Sequence, residues 1–123
     1  MILILNFGSQ FAHLIARRVR DLGVKAEIVP FNISATQIQK LDPSGIILSG
    51  GPASVLDKNS PRPDKRIFAL GLPILGICYG HQVMVQMLKG KVIKGQYREF
   101  GKEILNISKL SNIFSSLSPK ETV

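Results

Sequence analysis

The stretch Leu72-Pro-Ile-Leu-Gly-Ile-Cys-Tyr-Gly-His-Gln-Val-Met-Val-Gln-Met-Leu88 changes character in its middle. It opens as a short apolar run and closes with apolar residues at helical density. Between the two, Gly76 and Gly80 bracket Cys78, the only cysteine of the chain. The pattern predicts a strand over Ile74 to Ile77 that runs directly into a helix from about Tyr79 to Lys89, stopped by Gly90. A strand followed at once by a helix is the unit of parallel sheets, because parallel neighbours need a crossover and cannot be joined by a hairpin.

The same alternation recurs upstream. Met1 to Leu5 is a continuous apolar run, as expected of a strand buried on both faces, and ends in the turn Asn6-Phe7-Gly8-Ser9. A helix is predicted from Gln10 to Leu22, capped by Ser9, with Phe11, Ile15, Val19 and Leu22 as its apolar stripe and Gly23 closing it. Lys25 to Pro30 reads as a second strand, and Ser34 to Leu41 as a short helix capped by Ser34. Gly45 to Ser49 is a third buried strand, followed by Gly50-Gly51-Pro52 and an irregular polar loop over Asp57 to Pro63. Lys65 to Leu70 reads as a short helix, and Val92-Ile93 and Glu103 to Ile107 as further short strands. The fold class is α/β, doubly wound, with a mostly parallel sheet and flanking helices. Ligands of such sheets gather at the carboxyl ends of the strands, where the turns at Gly8, Gly50 to Pro52 and Cys78 all fall.

Composition narrows the function classes. At 123 residues with 45% hydrophobic content the chain has the size and core of one domain. One cysteine excludes an internal disulfide, and no apolar run approaches a membrane span, so a soluble cytoplasmic protein with no membrane partner is expected. Sixteen Lys and Arg against eight Asp and Glu give a formal charge of +8. The basic residues are scattered, with Arg17-Arg18-Val19-Arg20 the nearest to a cluster, so a solvent-facing or partner-facing surface is expected rather than nucleic-acid binding.

Cys78 is the candidate nucleophile. A residue held on a tight strand-to-helix turn projects its side chain off the sheet, and small neighbours two before and two after relieve the crowding of its backbone; Gly76 and Gly80 hold those places as a nucleophile elbow. The helix that follows aims free N–H groups and the positive end of its dipole at the sulfur, a setting that favours thiolate over thiol. The competing reading of a lone cysteine is a small apolar residue at a strand end. The Gly50-Gly51 turn after the neighbouring strand weighs against it, since its N–H groups and that of Tyr79 could together hold a developing oxyanion.

Gly76 to Gln82, Leu48-Ser-Gly-Gly-Pro-Ala-Ser-Val55 and Asn6-Phe-Gly-Ser-Gln-Phe11 together resemble the class I glutamine amidotransferases, a family of flavodoxin-like fold. The resemblance runs along essentially the whole chain, through Arg98-Glu-Phe-Gly101. The wording of Phe-Gly-Ser-Gln, Leu-Ile-Ala-Arg-Arg-Val-Arg and Ser-Gly-Gly-Pro-Ala-Ser-Val is similar to the branch serving GMP formation rather than anthranilate, carbamoyl-phosphate or CTP synthesis. The resemblance implies glutamine hydrolysis with Cys78 as nucleophile, Gly51 and Tyr79 as oxyanion-hole amides, and Gly50, Gly51, Pro52 and Gln82 along the glutamine site. It implies no metal or cofactor in this domain. The partner it implies is a separate ATP-pyrophosphatase (synthetase) domain or subunit, where ATP and Mg activate XMP for amination by the released ammonia.

The family pairs its Cys with a His and a Glu well downstream of the elbow. Residues 1–123 hold only His13 and His81, the latter three residues after the nucleophile in the same helix, and Asn6 stands where the family more often has an acidic residue. The expectation is an amidotransferase domain cut before its His/Glu region, carrying only the Cys of the triad. Two readings compete with glutamine hydrolysis. One is a non-catalytic glutamine-binding or regulatory module that docks on a synthetase. The other is a phosphate or flavin binder using Phe7-Gly8-Ser9, which the lack of repeated hydroxyl residues and of tryptophan weighs against.

Overall fold

The computed structural model describes residues 1–8, 10–90 and 92, and the backbone of 104–106 and 120–122. Two compact units divide the chain, Met1–Val92 and Ile93–Val123. In the first, four strands form one sheet: β1 (Ile2–Asn6), β2 (Ala26–Pro30), β3 (Gly45–Leu48) and β4 (Ile74–Gly76), in the spatial order β2-β1-β3-β4 with every neighbouring pair parallel. The helices are α1 (Phe11–Asp21), α2 (Ala35–Leu41) and α3 (Tyr79–Met87), with a 3₁₀ turn at Lys65–Ala69 before β4. In the second unit β5 (Ile104–Asn106) pairs antiparallel with β6 (Lys120–Thr122).

The central strand is continuously apolar because both of its faces are covered. Leu3 and Leu5 point into one cluster with Ile38 of α2, Ile67 of the 3₁₀ turn and Val83 of α3; Ile4, between them, points the other way onto Ala12 and Ala16 of α1. All three strand residues are fully buried, each stabilising the fold by about 1.5–3 kcal/mol. The chain leaves β1 for one edge, then returns past it to β3, so the winding reverses between β1 and β3. Their carboxyl ends, with that of β4 next to β3, form the edge where a doubly wound sheet binds ligands.

Local chemistry explains the helix starts. Ser34 closes a capping box on α2, its Oγ accepting from the Gln37 N–H at 3.1 Å and its own N–H donating to Gln37 Oε1 at 3.2 Å. Asp64 braces that start from across the fold: its Oδ2 accepts from the Ala35 N–H at 2.9 Å, while its Oδ1 accepts from the Arg66 N–H at 3.0 Å. The Arg66 guanidinium, with those two backbone donors, holds the Asp64 carboxyl far below the usual carboxylate range.

The structure corrects several expectations. The residue capping α1 is Gln10, without a side-chain cap bond, and Ser9 lies outside the described residues. The stripe that α1 buries is built on Ala12 and Ala16 with Ile15 and Val19 beside them, whereas Phe11 is 60% and Leu22 82% exposed. Small residues sit where the helix crosses the sheet because only they let the two backbones approach. The segment after Asp64 is a 3₁₀ turn, not an α-helix. Val92 lies outside any strand, Ile93 lies outside the described residues, and β6 was not anticipated.

Candidate active site

Cys78 occupies the N-cap position of α3 with φ 52° and ψ −115°, a left-handed backbone that non-glycine residues rarely adopt, and its side chain is exposed. Its flanking glycines are required by close approach. A Cβ on Gly76 would lie 2.6 Å from the His81 Cα and 2.7 Å from its N; one on Gly80 would lie 2.6 Å from the carbonyl carbon of Leu48. Hydrogen bonds pin the turn: the Gly80 N–H donates to the carbonyls of Ile77 at 2.9 Å and Ser49 at 3.1 Å, and the Gln82 N–H donates to that of Cys78 at 3.1 Å. Strand and helix thus meet in a tight strand-to-helix turn with Cys78 at its apex.

The loop after β3 is laced to the loop after β1. Ser49, fully buried, accepts from the Phe7 N–H at 3.1 Å and donates to the Gly50 carbonyl at 3.0 Å. Gly51 lies so close to the loop after β1 that a Cβ there would stand 3.2 Å from the Phe7 carbonyl carbon and nearer still to its oxygen. A Cβ on Gly50 would lie 3.4 Å from the Cys78 Cβ, so the glycine turn and the elbow face each other. The Tyr79 ring is buried, with its centroid 5.4 Å from that of Phe7, and its hydroxyl donates to the Pro61 carbonyl. One residue therefore ties the elbow to the β1 loop and to the polar loop beyond Gly51.

Beside the sulfur lies an apolar cavity of about 230 Å³ lined by Phe11, Leu14, Ile15, Gly50, Ile77 and Cys78. Of the residues expected at the site, Gly50 and Cys78 line it. Gly51 is half-buried, Tyr79 and Gly80 are buried, Gly76 is half-buried, and Pro52 and Gln82 are exposed and outside the lining. Phe11, Ile15 and Ile77 line the cavity although their hydrophobicity reads as core, and Leu14 lies off the apolar stripe the sequence predicts. Ser49 was missed because it reads as the last residue of a strand. His13 and His81 are exposed and neither lines the cavity. A larger hollow of about 450 Å³, around Met1, Arg20 and Gly23 to Glu27, sits at the amino ends of β1 and β2, the opposite edge of the sheet. Among the described residues no helix is long and apolar enough to cross a membrane.

Comparison with known proteins places this geometry. Residues 3–123 match the family Glutamine amidotransferase class-I. The GMP synthase (glutamine-hydrolyzing) of Aquifex aeolicus is 54% identical over 121 residues, 98% of this chain and 24% of the relative. That of Helicobacter pylori strain Shi470 is 54% identical over 123 residues, 100% of this chain and 24% of the relative. That of Caldanaerobacter subterraneus is 53% identical over 116 residues, 94% and 23% of the two chains. The crystal structure of a Thermoplasma acidophilum protein named as a GMP synthase subunit superposes with a TM-score of 0.82 at 34% identity, over 99% of this chain and 61% of that one. The chain spans about a quarter of the length of the curated relatives it matches. An elbow cysteine on a doubly wound sheet, matched from residue 3 to residue 123, makes this chain a member of the class I glutamine amidotransferase family.

Proposed function

We propose that residues 1–123 belong to the glutaminase part of a GMP synthase, with Cys78 as its nucleophile. The carrying observation is the backbone of Cys78, held at φ 52° on the cap of α3 with its side chain exposed to the cavity. The sulfur attacks the side-chain amide carbon of glutamine, forming a C–S bond and pushing the carbonyl electrons onto oxygen. The Gly51 and Tyr79 N–H groups take the role of donors to that oxyanion. Collapse breaks the C–N bond, ammonia leaves after protonation of the nitrogen, and water cleaves the thioester to glutamate. Gly50, which lines the cavity, and Gly51, Pro52 and Gln82, which lie outside its lining, are assigned to the glutamine site by the family resemblance.

Since neither histidine lines the cavity, the proton transfers are assigned to a group other than His13 and His81. The ammonia passes to an ATP-pyrophosphatase (synthetase) domain or subunit that aminates XMP to GMP. ATP and Mg belong to that unit, this part uses no cofactor, and the setting is the cytoplasm. The test is glutamate release by the protein carrying this sequence and by its Cys78→Ala variant, which should fall by roughly 10³-fold or more. Equal release from both would remove Cys78 from the chemistry. For residues 1–123 alone the second reading is a non-catalytic glutamine-binding module, favoured by the positions of His13 and His81; it predicts modification of Cys78 by electrophiles without glutamate turnover.

A further inference from the structure

Ser49 is the one fully buried polar side chain among the described residues, and it stands between the β1 loop and the glycine turn. Its hydroxyl has one proton to give, and the Phe7 N–H already occupies a lone pair at 3.1 Å. The proton goes to the Gly50 carbonyl at 3.0 Å. That carbonyl and the Gly51 N–H belong to the same trans peptide, whose plane is rigid, so the N–H points opposite to the C=O. Fixing one end of the plane aims the other. A peptide flanked by two glycines has the least steric resistance to rotation of any in the chain, because neither side carries a Cβ. Rotated, it would present a carbonyl oxygen where the mechanism needs a donor.

We propose that Ser49 is a positioning residue that sets the direction of the Gly51 N–H, keeping the glycine turn in its donor orientation. The inference rests on the reading of Gly51 as an oxyanion donor. Ser49 touches no reacting atom; it acts through the Gly50–Gly51 peptide and is itself held by Phe7. The elbow lies on a different hydrogen-bond path, joined to this loop through the Ser49 carbonyl rather than the hydroxyl. Removing the hydroxyl should therefore disturb oxyanion chemistry at Cys78 and spare reactions of the same sulfur that form no oxyanion.

The test compares two reactions of Cys78 in the protein and its Ser49→Ala and Ser49→Thr variants. In acylation by p-nitrophenyl acetate, the sulfur bonds to the acetyl carbon through a tetrahedral oxyanion. The C–O bond then breaks, and p-nitrophenolate leaves with the electron pair. Alkylation by iodoacetamide displaces iodide directly and forms no oxyanion. Loss of one oxyanion donor commonly costs about 10²–10³-fold, so Ser49→Ala should slow acylation by about tenfold or more and leave alkylation within about twofold. Ser49→Thr, which keeps the hydroxyl, should hold the ratio of the two rates near that of the parent. A Ser49→Ala variant slowed equally in both reactions, or in neither, overturns the proposal. So does a Ser49→Thr variant whose ratio collapses, which remains decisive if Ser49→Ala does not fold. Absence of any Cys78-dependent acylation in the parent overturns the nucleophile reading itself, a result distinct from failure at Ser49.

Discussion

Gly80 is the point at which the elbow has least room to yield. A Cβ placed there would lie 2.6 Å from the Leu48 carbonyl carbon and 2.7 Å from the Leu48 Cβ, with the carbonyl oxygen nearer still. Unstrained carbon–oxygen approaches begin at about 3.3 Å, so Gly80→Ala requires backbone to move by on the order of 1 Å. Neither side can do so freely. The Leu48 carbonyl accepts from the Ile77 N–H at 3.0 Å, closing the end of the β3–β4 ladder, and the Gly80 N–H is shared between the carbonyls of Ile77 and Ser49. The substitution should cost on the order of 3 kcal/mol, the upper end of ordinary overpacking.

Gly23 supplies the control. Unlike Gly80, which is helical, it has a left-handed backbone, φ 79°, with nothing within 4 Å of an added Cβ, so Gly23→Ala meets left-handed strain alone, about 1 kcal/mol. The two variants should differ by about 2 kcal/mol, or roughly 8 °C in melting temperature at roughly 4 °C per kcal/mol for a chain of this size. Thermal unfolding followed by far-UV circular dichroism reads the difference. If Gly80→Ala melts with or above Gly23→Ala, α3 does not lie against β3 as described, and the elbow geometry built on that contact fails with it.

How much of this was legible depended on whether the physics was local. The elbow was legible in the spacing of Gly76, Cys78 and Gly80, and the crowding of Gly76 by His81 is local, whereas the Leu48 backbone that crowds Gly80 belongs to β3 and no local pattern names it. Ser34 was legible because its capping box closes locally, on Gln37. The doubly wound sheet followed from strands too apolar to have a wet face. By contrast, the face of α1 was misread because hydrophobicity was taken as the sign of burial. The helix crosses the sheet closely, so alanines occupy the contact and Phe11 is left for the cavity at Cys78. Ser49 was opaque because its partner Phe7 is 42 residues away. Asp64 caps the 3₁₀ turn through the Arg66 N–H and also accepts from Ala35, 29 residues away, a contact no periodicity records. β6 is a polar tripeptide with no apolar alternation to announce it.

Asp64 should make stability pH-dependent in a definite direction. Its folded-state pKa is depressed by Arg66 and two backbone donors, so its contribution is fully present above the unfolded carboxylate value of about 3.9 and fades as pH falls below it toward the folded value. The melting-temperature gap between the protein and Asp64→Asn should therefore be widest near neutrality and shrink below about pH 4; a gap constant down to about pH 3 would show that the carboxylate charge is not what braces α2. The register of α1 makes the second prediction. Ala16 is fully buried against the sheet side of Ile4, so Ala16→Leu must force three further carbons between helix and strand, at about 1–3 kcal/mol. Leu22→Ala removes the larger side chain, yet Leu22 is 82% exposed beyond the end of the helix, and its loss should stay within about 0.5 kcal/mol. Urea midpoints of the two variants order them. An inverted order would mean that α1 packs on the Phe11–Leu22 stripe after all, which would turn Phe11 inward and close the cavity that flanks Cys78.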